Sequence, residues 1–295
     1  MKKKFIDPNL NNKKKIVENK IKFINYDGGK YPLPTEIEIS ESGVCNRKCS
    51  FCPRSAKDFE EVKEFINEDL IKKLCKELSE FNYEGTIRFS GFVEPLLDKN
   101  IYNLISIFRN DLPNSNIEMV TNGDVLNLSR LKKLFNKGLN KILISAYDNK
   151  ESAENFEKLC LSAGLNKSQF IVRHRYLGPE DDFGITLSIR AGLMENAEYK
   201  IESLKEPLSK PCYIPSYTFF LNYNGEVLIC PHDWGKKIIL GNLKKDNFLD
   251  IWCSKKAILI RKKLFKSDRN FTPCNKCDVQ GNLIGEINSK FFVNV

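Results

Sequence analysis

Cys45-Asn46-Arg47-Lys48-Cys49-Ser50-Phe51-Cys52 begins a few residues after the alternating stretch Glu36-Ile37-Glu38-Ile39-Ser40. The alternation reads as a β-strand, so the cysteines occupy a loop at its C-terminal end. Their spacing is C-x3-C-x2-C. Soft, anionic thiolates suit iron–sulfur chemistry. Three of them on one short loop cannot complete a four-iron cube, so one iron is left for a ligand that is not protein. A metal site that keeps a position open is built for chemistry. A zinc knuckle would want a fourth Cys or His close by, and the next histidine is His174.

Outward from this loop, strand-like and helix-like stretches alternate. A helix over 67–81 carries an apolar stripe at Leu70, Ile71, Leu74, Leu78 and Phe81, with Asn67 as its N-cap. Strands are expected over 86–90, 116–120, 141–146, 169–176 and, shorter, 185–188, with helices over 100–108, 128–137 and 151–163 between them. Gly138 and Gly164 stop the last two helices. Such alternation with short connections gives an α/β fold: a parallel sheet with helices outside and chemistry at the C-terminal ends of the strands. Residues 1–34 are expected to be a basic extension, ordered in part, and the proline-rich stretch 205–215 a linker out of the main domain.

The strand ends carry further motifs. Ser90-Gly91-Phe92-Val93-Glu94-Pro95-Leu96-Leu97 follows the second strand, Thr121-Asn122-Gly123 the third and Ser145-Ala146-Tyr147-Asp148 the fourth. Arg173-His174-Arg175 ends the fifth, where alternation turns either the arginine pair or the histidine into the barrel. Ser188-Ile189-Arg190-Ala191-Gly192 comes next. In the C-terminal region Cys212, Gly225 and Cys230 are spaced C-x12-G-x4-C, and Cys274-Asn275-Lys276-Cys277 follows. Asn224-Gly225 marks a hairpin between strands over 217–221 and 226–229.

These motifs, in this order, resemble the radical S-adenosylmethionine (SAM) superfamily, whose signature is the Cys45, Cys49, Cys52 spacing with an aromatic residue, here Phe51, before the last cysteine. The resemblance implies a partial (β/α)6 barrel over residues 35–204 and a small hairpin-plus-helix domain over 205–295. It implies that Cys45, Cys49 and Cys52 hold a 4Fe–4S cluster, whose open iron chelates SAM. The bound SAM is cleaved to a 5′-deoxyadenosyl radical that abstracts hydrogen from substrate. Ser90, Gly91 and Glu94 then belong to the SAM-binding turn, although Val93 stands where a second glycine is common. Thr121, Asn122 and Ser145 lie where family members contact SAM. Ser188 to Gly192 resembles a segment of the members with a C-terminal cluster domain. Arg190 is therefore a candidate for SAM's carboxylate or for the substrate, and Arg175 and Arg190 are the candidate catalytic residues.

The C-terminal cysteines resemble the opening of the SPASM pattern, in the shortened form called a twitch domain. Cys212, Cys230, Cys274 and Cys277 would ligate a second, closed 4Fe–4S cluster. A four-cysteine set also suits zinc. A closed cluster beside a radical site can accept an electron, as in the twitch-domain alcohol dehydrogenases. The expected function is a two-electron oxidation of a sugar- or aminocyclitol-like metabolite, served by a flavodoxin- or ferredoxin-type electron donor. The alternative is modification of a ribosomal peptide or protein, as a maturase or epimerase. The short N-terminal region favours the small molecule, because it is too short for a peptide-binding domain. An epimerase would want a hydrogen-donating cysteine, for which Cys160 and Cys253 are the candidates. Cys75 and Cys160 otherwise read as buried thiols, and His232 as a surface histidine.

Composition agrees with a cytoplasmic enzyme. There is no run of about 18 apolar residues and no signal-peptide core behind the N-terminal lysines. The ten cysteines fall in metal-like groups rather than in a secreted disulfide framework. The formal charge of +9 is concentrated in residues 1–30 and 255–269, where lysines without interleaved aromatics read as solvated faces. No nucleic-acid partner is expected from them.

Overall fold

The computed structural model describes residues 8–19, 21–56, 59–177, 188–195 and 202–293. The chain begins with helix α1 (Pro8–Asn19) and the hairpin β1 (Phe23–Tyr26) and β2 (Gly29–Pro32). The turn between the two strands places Asp27 and Gly28 at φ of 44° and 75°, the pair of left-handed residues that a tight hairpin requires. The basic extension is thus ordered over 8–19 and 21–32, as a helix and a hairpin.

The alternating units follow as β3 (Glu36–Ser40), α2 (Glu68–Ser79), β4 (Thr86–Phe89), α3 (Ile101–Asp111), β5 (Asn116–Thr121), α4 (Leu128–Asn136), β6 (Lys141–Ala146), α5 (Lys150–Ser162) and β7 (Phe170–His174). Asparagine side chains start three of the helices: Asn67, Asn127 and Asn149 accept from the backbone N–H of Asp69, Arg130 and Ser152. The C-terminal part adds β8 (Thr218–Asn222), β9 (Glu226–Leu228), β10 (Ile239–Asn242), α6 (Phe248–Trp252), α7 (Lys255–Phe265) and α8 (Glu286–Val293).

All eight strands from β3 to β10 form one sheet in the order β10-β9-β8-β3-β4-β5-β6-β7. From β8 to β7 every pairing is parallel, while β9 and β10 are antiparallel. This is the α/β partial barrel. The C-terminal hairpin continues its sheet, because β8 lies alongside β3. Of the strand expected over 185–188, residues 185–187 lie outside the described residues; among those described, β8 is the sixth parallel strand.

Alternation in β3 sorts the strand into two environments. Ile37 and Ile39 turn outward into the core that Leu70, Ile71, Leu74 and Leu78 of α2 help to build. Glu36, Glu38 and Ser40 alternate with them and are also buried. They face inward, so the barrel interior is polar where the outer layer is a hydrocarbon core. Val17 of α1 is fully buried against Tyr213, Ile214, Tyr217 and Ile284.

Candidate active site

The cysteine loop sits at the C-terminal end of β3 and is fastened on both sides. Within it, Cys52 N–H donates to Cys49 O at 2.9 Å and Ser55 N–H to Cys52 O at 2.9 Å. Arg54, 4% exposed, donates from Nε to Phe92 O at 3.1 Å and from Nη2 to Gly43 O. Arg47 forks onto two carboxylates. Its Nε and Nη2 donate to Asp124, and its Nη1 and Nη2 donate to Asp148 at 2.7 and 2.8 Å. Bidentate pairing of this kind fixes geometry as well as charge. It ties the loop to the turns after β5 and β6. Phe51 packs on Tyr147 with ring centres 5.5 Å apart, and Arg47 stacks over the same ring.

Below this loop lies a cavity of about 720 Å³ lined by Cys45, Cys49 and Cys52. The three thiols are half-buried and in electrostatic contact with one another. Burial pushes all three up, Cys49 to about 11. They release their protons on binding a metal group, so cluster assembly is coupled to deprotonation.

The turn after β4 borders the cavity through Ser90, Gly91 and Glu94. Gly91 has φ of 104°, and a Cβ there would stand 3.0 Å from Phe220 and 3.1 Å from Ser40. Both conformation and space demand glycine. Val93 is not among the residues with positive φ, so this turn needs no second glycine. Glu94 is 2% exposed and committed to the scaffold. It accepts from Leu96 N–H at 3.1 Å, Thr121 Oγ1 at 2.5 Å and Asn122 N–H at 2.7 Å. Burial raises its pKa against these hydrogen bonds. Asn122 donates to Asn46 Oδ1 at 2.8 Å, which joins this turn to the cysteine loop.

On the far wall, Arg173 and Arg175 line the cavity. His174 alternates with them, its Nδ1 2.9 Å from Tyr176 Oη. Arg173 donates to Ser145 Oγ at 2.6 Å. Arg190 is half-buried and feels Cys52, Tyr147, Asp278 and Arg175; burial lowers its pKa.

The second cysteine set lies beside the same cavity. Cys212, Cys230 and Cys274 pack against one buried cluster of Ile229, Ile238, Ile260 and Leu264. Burial, then the thiols of Cys274, Cys277 and Cys212, raises Cys230 well above its ordinary value. Gly281 packs so closely on Cys212 that a Cβ would meet its Sγ at 2.3 Å. Among the described residues, no three Cys, His, Asp or Glu side chains form a group that could hold a single metal ion. A zinc tetrahedron would draw its sulfurs to about 3.8 Å of one another. A closed four-iron cluster likewise takes four thiolates, the number this set supplies. Asp278 to Gly281, directly after Cys277, form part of the cavity wall.

The floor of the cavity is a layer of charge. Glu38, Arg88, Glu118 and Lys141 are register partners across β3, β4, β5 and β6. Arg88 bridges Glu118 at 2.8 Å and Glu36 at 3.2 Å. Helix α1 closes this layer from below: Lys13 pairs with Glu36 at 2.8 Å, and Asn12 donates to Glu118 at 3.2 Å. Burial works to raise Glu36, but Arg88 and Lys13 outweigh it and hold it down. Glu38 goes the other way, raised by burial and by Glu36.

Residues 39–160 match the radical SAM superfamily, and residues 212–278 match SPASM, an iron–sulfur cluster-binding domain. The chain is a radical SAM enzyme with a SPASM domain. It is 29% identical over 250 residues to the S-adenosyl-L-methionine-dependent 2-deoxy-scyllo-inosamine dehydrogenase of Niallia circulans, covering 83% of this chain and 94% of that one. The crystal structure of BtrN with AdoMet and 2-DOIA matches with a TM-score of 0.70 at 26% identity, over 85% of this chain and 95% of that one. The AdoMet-bound structure of anSMEcpe shares the fold, with a TM-score of 0.53 at 15% identity over 89% and 93% of the two chains. The cofactors of this radical SAM enzyme are two 4Fe–4S clusters and SAM.

The fold thus gathers Cys45, Cys49, Phe51, Cys52, Ser90, Gly91, Glu94, Thr121, Asn122, Ser145, Arg175 and Arg190, all expected from sequence, around one cavity. Cys212, Cys230, Cys274 and Cys277 stand behind its wall. His232 corrects an expectation: it lines the cavity rather than the surface, and burial drives its pKa down to about 3. Cys75, Cys160 and Cys253 are core thiols. Glu38, Arg88, Lys13 and Asp278 were missed. Nothing in a single alternating strand says which residue will stand beside it three strands away.

Proposed function

We propose that this radical SAM enzyme oxidises a secondary alcohol of an aminocyclitol- or sugar-like metabolite to a ketone. The carrying observation is one cavity lined by Cys45, Cys49 and Cys52 on one side and, on the other, by Asp278 to Gly281, the residues directly after Cys277. Similarity to the inosamine dehydrogenase along nearly its whole length supports the substrate class. When bound, SAM and its cluster supply the hydrogen-abstracting radical, and the second cluster supplies an acceptor for the remaining electron.

The oxidation removes a hydrogen atom from carbon, a proton from the hydroxyl and one electron. Cys45, Cys49 and Cys52 hold the SAM cluster, and Cys212, Cys230, Cys274 and Cys277 the second one. Phe51, Ser90, Gly91, Thr121, Asn122 and Ser145 shape the SAM subsite, with Glu94 holding the turns together. Arg175 and Arg190 anchor oxygens of substrate or of SAM's carboxylate, since guanidinium is a strong anion binder and a poor base. The proton goes to Glu38 Oε2, a buried oxygen with no hydrogen-bond partner, on a carboxylate whose pKa burial raises. A base raised toward neutrality is well matched to that task. Among the described residues, the cysteines lining the cavity are the three of the loop, which leaves an epimerase without a separate hydrogen donor.

Residues 35–204 act as the radical-generating unit and 205–295 as the second-cluster unit. The first electron comes from an acidic flavodoxin- or ferredoxin-type donor, matched to the chain's +9 charge. Among the described residues no helix is long and apolar enough to cross a membrane, which agrees with work in the cytoplasm. The test is anaerobic incubation of the reconstituted enzyme with SAM, reductant and 2-deoxy-scyllo-inosamine, alongside related cyclitols and sugars. We expect one ketone per 5′-deoxyadenosine. SAM cleavage without any ketone across that panel would overturn the reading.

A further inference from the structure

The turn that carries Arg190 is held in an unfavourable backbone conformation by the ligand loop of the second cluster. Arg190, Ala191 and Gly192 have φ of 47°, 54° and 86° in succession. Two consecutive left-handed residues with side chains are costly and persist only where surroundings impose them. The surroundings that impose them come from residues 276–278, some ninety positions away in sequence. Asp278 Oδ1 accepts from Ser188 Oγ at 2.8 Å, and its Oδ2 accepts from Ile189 N–H at 3.0 Å. Ser188 Oγ in turn accepts from Arg190 N–H at 3.1 Å. Lys276 covers Gly192 so closely that a Cβ there would meet its side chain at 2.9 Å.

The outcome of this strain is an aimed guanidinium. Arg190 is half-buried, its buried Nε has no hydrogen-bond partner, and it feels the thiol of Cys52 on the SAM-cluster loop. It lines the cavity together with Ser188 and Asp278. A guanidinium whose buried Nε lacks a partner is placed to receive an anion. SAM, the cofactor of this enzyme, would bring such an anion in its carboxylate.

The geometry points to Asp278 as a positioning residue for SAM: through Ser188 and Ile189 it fixes the left-handed turn that aims Arg190 at the SAM carboxylate, so the second cluster's loop is structurally part of the SAM site. The inference rests on the cavity being the SAM site and is independent of which alcohol is oxidised. It gives the C-terminal domain a second role beside electron transfer. Lack of the second cluster would loosen SAM binding as well as interrupt the electron path, because Asp278 follows its ligand Cys277 directly.

The test is equilibrium binding of SAM by anaerobic calorimetry to the full-length reconstituted chain, with iron content and visible spectrum recorded for each variant. Ser188→Ala removes the relay hydroxyl without touching the cluster loop and should weaken SAM about tenfold, the effect of losing a buried hydrogen-bond relay. Asp278→Asn should weaken it by at least as much while iron content stays at the wild-type level. In an Arg190→Ala background, itself weakened roughly a hundredfold as expected for a buried charge-assisted contact, Ser188→Ala should cause no further loss. That non-additivity is what distinguishes positioning from general loosening. Unchanged affinity in Ser188→Ala, or an additive loss in the double variant, would overturn the role of Asp278. Unchanged affinity in Arg190→Ala would overturn it too, and would place the fault in the assignment of Arg190 to SAM. Neither outcome depends on ketone formation, so each is separable from failure of the dehydrogenase reading.

Discussion

Glu38 carries the proposed proton transfer because of what surrounds it. Ser90 Oγ donates to one carboxylate oxygen, and the other faces Lys13 at 3.9 Å without a hydrogen bond. Burial is the largest effect on its pKa, which lies above the ordinary 4.5. A base must be ionised to work, so kcat should rise with pH through this elevated value and then level off. Glu38→Gln should lower kcat by about a hundredfold or more, the usual worth of a positioned base, and should abolish that acidic limb. A pH profile of kcat beside SAM affinity checks this: an intact limb in Glu38→Gln would assign the proton elsewhere. Glu38 is plain in the sequence as one letter of an alternating strand. Its role is not, because register with Arg88 and with Phe220 of β8 appears only when the sheet is assembled.

Helix α1 was the least legible element. Its lysines, in a stretch that holds nine Lys before residue 31, read as a solvated face. In the structure Lys13 instead supplies the counter-charge to two buried glutamates, and Val17 docks on residues from the C-terminal part. Stripping one partner from a buried charge pair is costly. Lys13→Met should lower unfolding stability by roughly 3 kcal/mol, and adding Glu36→Gln should restore part of it; chemical denaturation of both variants reads the difference. The barrel helices were far more legible, since their caps and apolar stripes are local signals, as Asn67 and α2 show. The strand-end arginines fell between. Alternation separated Arg173 and Arg175 from His174, but only closure of the barrel decided which face turned inward. The C-terminal loop offers an equally specific check. Gly281→Ala would drive a Cβ into Cys212 Sγ, so iron content should fall from about eight per chain to about four, with SAM binding retained in part.

At the scale of the whole molecule, the sheet itself joins the two cysteine sets. Because β8 pairs directly with β3, the strand leading to the SAM-cluster loop and the hairpin leading to Cys230 are neighbours. The cysteine spacings made both cysteine groups legible in sequence as the expected holders of two clusters. Their common cavity was not legible, since it depends on a parallel pairing between residues about 180 positions apart in the chain. That shared cavity is the basis for reading the chain as a dehydrogenase that passes one hydrogen atom to one side and one electron to the other. The most direct measurement follows deuterium from the carbinol carbon of labelled 2-deoxy-scyllo-inosamine, in the wild-type enzyme and in the Cys274→Ala/Cys277→Ala variant. One deuterium should appear in 5′-deoxyadenosine for each ketone formed by the wild type, and the variant should continue SAM cleavage with no ketone. Deuterium returned to the product, or ketone formed at the wild-type rate without the second cluster, would contradict the dehydrogenase reading.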